Sequence, residues 1–123
     1  MYKSVALILW VKVMLSKKDI IEANKAFHTG KIANKSSLDF ALSQVYRSPN
    51  WLKTAAVLAR AILLDHVFED GNKRTAAGII ATVMEMNKIP YAQDKIAKGV
   101  LAITKSNMHN IKEIEKVIAN AQE

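Results

Sequence analysis

Apolar residues recur three and four positions apart through most of this chain, the spacing that lines one face of an α-helix. The pattern is clearest after Ser37, where Leu38, Ala41, Leu42, Val45 and Tyr46 form a continuous stripe on a helix that Ser37 is placed to cap. Ser16, with Asp19 three residues later, has the form of a capping box and predicts a helix to about Phe27, buried along Ile20, Ala23 and Phe27. Between these helices His28 to Ser36 (HTGKIANKS) is polar, contains Gly30 and is expected to be a loop. Ser48-Pro49 ends the second helix and starts the next, since proline fits a first turn where its missing N–H is not needed. Trp51 to Leu64 carries only Lys53 and Arg60, which fall on one stripe, so this helix is expected to be largely buried. Thr75 to Met84 (TAAGIIATVM) carries no charge and is expected to be the central helix, stopped by Pro90. Asp94 opens a helix through Ile96, Val100 and Ile103; Asn110 with Glu113 opens the last, facing Ile111, Ile114, Val117, Ile118 and Ala121 inward. The fold class is all-α, a compact single-domain helical bundle around a central buried helix.

Residues 1–15 stand apart. Val5 to Met14 (VALILWVKVM) is strongly apolar, but it is about half the length a bilayer span needs and Lys12 interrupts it. Lys3 ahead of it suggests a signal peptide, yet no small-x-small cleavage site follows before Ser16. The expectation is an apolar extension over 1–15, a strand or helix docked on the core, ahead of a helical domain over 16–123.

Composition narrows the chemistry. With 123 residues, half of them apolar, one domain can bury a core without metals or cross-links. The chain has no cysteine, which excludes disulfides, thiolate-bound zinc and a thiol nucleophile, and fits a reducing cytoplasm. A formal charge of +7 favours polyanions without choosing among nucleic acid, nucleotide phosphates and an acidic protein.

Candidate chemistry is concentrated between the two most apolar helices, in Asp65-His66-Val67-Phe68-Glu69-Asp70-Gly71-Asn72-Lys73-Arg74. A helix beginning near Gly71 aims its free N–H groups and positive dipole end at this loop, making an anion site. Lys73 and Arg74 in the first turn oppose that dipole, where acids are normally preferred, and a triphosphate would relieve the conflict. Asp70 offers a hard oxygen for Mg²⁺ beside the phosphates, with Glu69 expected to face away. His66 is the candidate general base, since an imidazole side chain can accept a proton at neutral pH. Phe68 is expected to anchor the loop. Taken singly, each residue has a structural explanation: a histidine capping a helix end, an aspartate capping a helix start, solvated cations, a Gly-Asn turn. Together they make the string H-x-F-x-D-G-N-K-R.

That string closely resembles the active-site motif of the Fic/Doc family, and its Asn-Lys-Arg-Thr ending resembles the Doc (death-on-curing) toxin branch. The likeness extends from about Ser16 to the C-terminus. It implies a transferase that uses ATP or another nucleoside triphosphate, with Mg²⁺, to modify a Ser or Thr hydroxyl of a target protein, with the translation apparatus as the expected source of that target. His66 would be the base, Asp70 the metal ligand, Gly71 and Asn72 the backbone and side-chain anion hole, and Lys73 and Arg74 the phosphate contacts. Adenylyl-transferring members commonly have glycine where Lys73 stands and a second arginine where Ala77 stands; the Doc branch shares the pattern found here, which favours phosphoryl over adenylyl transfer. Family members often carry a Ser/Thr-x-x-x-Glu segment that blocks the site. No Ser or Thr here has Glu four residues later, so restraint is expected from a separate antitoxin protein. Lys31-Ile32-Ala33 is the candidate for docking a target segment in extended form. The rival readings are a basic helical module that binds nucleic acid, or one that binds a partner without catalysis. The bases are spread over many helices and no helix-turn-helix or RNA-stacking signature appears, so neither direct nucleic-acid binding nor membrane association is expected.

Overall fold

Six helices appear among the residues that the computed structural model describes, 15–47 and 50–123: α1 (Lys17–Lys25), α2 (Lys35–Arg47), α3 (Trp51–Leu64), α4 (Asn72–Met86), α5 (Gln93–Lys105) and α6 (Ile111–Ala119). They pack as one compact all-α domain, and no strand occurs among the described residues. The apolar run Val5 to Met14 and the Ser48-Pro49 junction lie outside the described residues. No described helix is long and apolar enough to cross a membrane.

The hub of the bundle is α3. Ala55 through Ala59 and Ala61 through Leu63 are all buried, and α2, α4, α5 and α6 each pack against it. Its four buried alanines, Ala55, Ala56, Ala59 and Ala61, keep the surface low enough for neighbouring helix axes to come close. The uncharged stretch Thr75 to Met84 was expected to hold this central place, but α4 is buried only along Thr75, Ala76, Ile79, Ile80, Val83 and Met84, and Gly78 is exposed. Absence of charge says that a helix is not repelled from the core; it does not rank two apolar helices. Burial of each Ile or Leu in this core contributes about 1.5–3 kcal/mol, and Leu15 is part of it at 5% exposure, with its carbonyl accepting the Tyr46 hydroxyl at 3.4 Å. The core therefore extends one residue into the segment read as an extension.

Other boundaries move for local reasons. Asn34, not Ser37, caps α2: its Oδ1 accepts the Ser37 N–H at 3.2 Å, and its Nδ2 donates to the Asp65 carbonyl at 3.0 Å. One asparagine thus starts α2 and ties it to the end of α3. Asn50 caps α3 by accepting the Leu52 and Lys53 N–H groups. α4 ends at Met86, ahead of Pro90, where Lys88 takes a left-handed turn at φ 57°. α1 ends at Lys25, so Phe27 falls beyond the helix and is 64% exposed, against the expectation that it is buried. The C-terminal residues close on the loop before α5 through Ala92 N–H to Ala121 O (2.9 Å) and Glu123 N–H to Pro90 O (3.0 Å). The ends of α1, α3 and α5 and the start of α4 contribute to the walls of one cavity.

Candidate functional site

Asp65 caps the end of α3, and His66 follows in the left-handed region at φ 51°. A non-glycine residue held there costs on the order of 1–3 kcal/mol. The turn it makes sends Val67 and Phe68 into the core, at 0% and 1% exposure, while His66 itself stays exposed on the cavity wall. Its imidazole hydrogen-bonds to no described residue. His66 thus follows the helix end and lies on the cavity wall.

Phe68 is buried in the core, and Asn72 clasps its backbone: the Phe68 N–H donates to Asn72 Oδ1 at 3.0 Å and Asn72 Nδ2 donates to the Phe68 carbonyl at 2.9 Å. The side chain expected in an anion hole is committed to the loop, leaving the backbone to receive an anion. That backbone is open. Gly71, the N-cap of α4, has φ 75°, no side chain caps the helix, and the N–H groups of Asn72, Lys73 and Arg74 have no acceptor among the described residues. Lys73 and Arg74 are exposed in the same turn, with the Arg74 guanidinium 4.9 Å from the centre of the Phe27 ring, a cation–π distance.

The Asp70 side chain is 82% exposed; its Oδ1 accepts the Gly71 N–H at 2.8 Å, and its Oδ2 lies 3.4 Å from His28 Nδ1. Glu69, expected to face away, lines the cavity. The reason is an antiparallel bridge between Ile32 and Phe68: in extended backbone successive side chains alternate, and because Phe68 points into the core its neighbour points out. The cavity, about 490 Å³, is walled by His66 and the Glu69–Arg74 turn, by His28 from the end of α1, and by Leu63 and Thr104 from the ends of α3 and α5. Among the described residues no three His, Asp or Glu side chains converge as a metal cage.

The bridge also occupies the candidate docking segment. Ala33 and Asn34 N–H groups donate to the Val67 carbonyl at 2.7 and 3.1 Å, and the Glu69 N–H donates to the Lys31 carbonyl at 3.1 Å. The inner edge of Lys31-Ile32-Ala33 is therefore paired with the loop that carries His66, and an incoming segment meets only its outer edge.

Sequence reasoning missed Asn24, His28, Leu63 and Thr104. Asn24 is 1% exposed and uses its whole amide: Nδ2 donates to the Asp70 carbonyl (2.9 Å) and to Thr75 Oγ1 (3.0 Å), and Oδ1 accepts the Gly30 N–H (2.8 Å). The signal was present, since Asn24 lies four residues after Ile20 on the same helix face, and a polar residue in an apolar stripe needs internal partners. His28 and Thr104 gave no such signal, because only the packing of α1 and α5 brings them to the loop. The chain matches no family model, no curated protein and no solved structure.

Proposed function

We propose that the chain is a Doc-like phosphotransferase that moves the γ-phosphoryl group of a nucleoside triphosphate to a Ser or Thr hydroxyl of a target protein. One observation carries the reading: a helix start with no side-chain cap, bearing Lys73 and Arg74, opens into the same cavity as an exposed carboxylate, Asp70, and an imidazole, His66, that bonds to no described residue. The likeness of His66 to Arg74 to the Fic/Doc motif supports it from the sequence side.

The phosphates lie against the N–H groups of residues 72–74, where the helix dipole and the two cations offset their charge. His66 accepts the proton of the attacking hydroxyl as its oxygen bonds to the γ-phosphorus; the bond to the β–γ bridging oxygen breaks, and that oxygen leaves with the nucleoside diphosphate. Magnesium suits the donor set, since it is commonly held by one or two carboxylates together with phosphate oxygens, and Asp70 presents one exposed carboxylate beside the phosphate site. When bound, the ion offsets negative charge on the phosphates. A partner protein that blocks the cavity would supply restraint, in the manner of an antitoxin.

Parallel incubation of the protein and a cell extract with γ-labelled and α-labelled ATP tests the reading. Label entering a protein from the γ position alone is expected, and is lost in His66→Ala. Label entering only from the α position overturns phosphoryl transfer in favour of adenylyl transfer, and no label from either overturns transferase activity.

A further inference from the structure

We infer that His28 is a positioning residue for Asp70: its imidazole, resting on Gly71, fixes the orientation in which that carboxylate meets the cavity. The inference rests on the reading of Asp70 as a metal ligand. An exposed aspartate on a loop samples several rotamers unless something holds it. Here each carboxylate oxygen has one contact, Oδ1 with the Gly71 N–H at 2.8 Å and Oδ2 with His28 Nδ1 at 3.4 Å. The second distance is beyond an ordinary hydrogen bond, so the ring acts by packing as much as by its polar contact.

The packing is close. The His28 side chain is 22% exposed, and its backbone N–H donates to the Asn24 carbonyl at 2.8 Å. A Cβ on Gly71 would come within 2.0 Å of His28 Cδ2 and 2.3 Å of Nε2. Glycine at 71 thus meets two demands at once, the left-handed φ of 75° and room for this imidazole. The ring also lines the cavity that holds the uncapped start of α4, so it touches both the carboxylate and the backbone turn that presents the free N–H groups.

Outer partners that orient metal-binding carboxylates change metal affinity by roughly 10–100-fold when removed. The full chain is titrated by calorimetry with a non-hydrolysable ATP analogue, with Mg²⁺ and with a chelator, for wild type, His28→Ala, His28→Phe, His28→Asn and Asp70→Asn. His28→Phe keeps a ring over Gly71 and removes the polar contact, and melting curves establish that each variant is folded. The gain in affinity that Mg²⁺ confers is expected to fall roughly tenfold in His28→Ala and by less in His28→Phe and His28→Asn, each of which keeps one part of the contact, with metal-free affinity within about twofold of wild type. An intact gain in His28→Ala and His28→Phe, together with its loss in Asp70→Asn, overturns the positioning role alone. An intact gain in Asp70→Asn overturns the metal reading of Asp70, and the positioning role with it.

Discussion

The starts of α1 and α4 are built in opposite ways. At α1, Ser16 Oγ accepts the Asp19 N–H at 3.2 Å and Asp19 Oδ2 accepts the Ser16 N–H at 2.9 Å, so a reciprocal cap closes the first turn and places an acid at the positive end of the helix, beside Lys17 and Lys18. At α4 no side chain caps the helix, three N–H groups lack acceptors among the described residues, and the first turn holds Lys73 and Arg74. α5 also lacks a side-chain cap, but its first turn carries Asp94 and the Ala92 N–H is bonded to Ala121 O. A helix that closes its first turn with a side-chain cap and an acid offers fewer donors and less positive potential to an anion. α4 keeps its donors open, and its start is held instead by Asn24, which grips the Asp70 carbonyl and Thr75 from α1, and by the clasp of Asn72 on Phe68.

The largest expected effect comes from removing that external support. Asn24→Leu leaves three polar groups without their partner, Gly30 N–H, Asp70 O and Thr75 Oγ1, and should lower stability by about 3 kcal/mol in urea unfolding. A loss under about 1 kcal/mol would mean that α4 needs no strut from α1. Gly71→Ala should cost about 2 kcal/mol from its left-handed φ alone, with more from the collision with His28. Adding His28→Ala should recover the collision part and leave the backbone part, and strict additivity of the two changes would separate His28 from Gly71.

At the other helix start, Ser16→Ala should cost about 1 kcal/mol and leave nucleotide affinity unchanged by calorimetry, because its cap serves α1 only. The smallest change in stability should have the opposite sign. Lys73→Glu gives α4 the acid that α1 already has and should stabilise the fold by about 0.5 kcal/mol while weakening nucleotide binding. A Lys73→Glu protein that melts lower than wild type would break the comparison.

Much of this was legible beforehand where the information is local. The stripe Leu38, Ala41, Leu42 and Val45 is buried as its spacing predicts, and the Ser16 box and the Asn110 cap form as written. The gathering of His66, Asp70, Lys73 and Arg74 on one cavity follows from their closeness in sequence. What the chain did not disclose depends on packing between distant segments. Phe27 was read as core because its spacing from Ile20 fits a helix, but α1 stops at Lys25 and releases it to lie under Arg74. Asn34 displaced Ser37 as a cap because it also bonds Asp65, a contact 31 positions away that periodicity cannot register. Asn72 was assigned to an anion from its place in the string, whereas its amide is taken up by Phe68.

The clasp of Asn72 on Phe68 gives the loop an order in time as well as in space. The amide hydrogens of Phe68, Glu69 and Thr75 are all bonded within the protein, whereas those of Asn72, Lys73 and Arg74, only a few residues away, face no acceptor among the described residues. In deuterated water the first group exchanges only when the loop opens, and the second exchanges without any opening. A polyanion that covers the start of α4 would slow the second group and leave the first almost untouched. Because the loop is already ordered, the ligand loses its own freedom on binding but does not also have to freeze the chain that receives it.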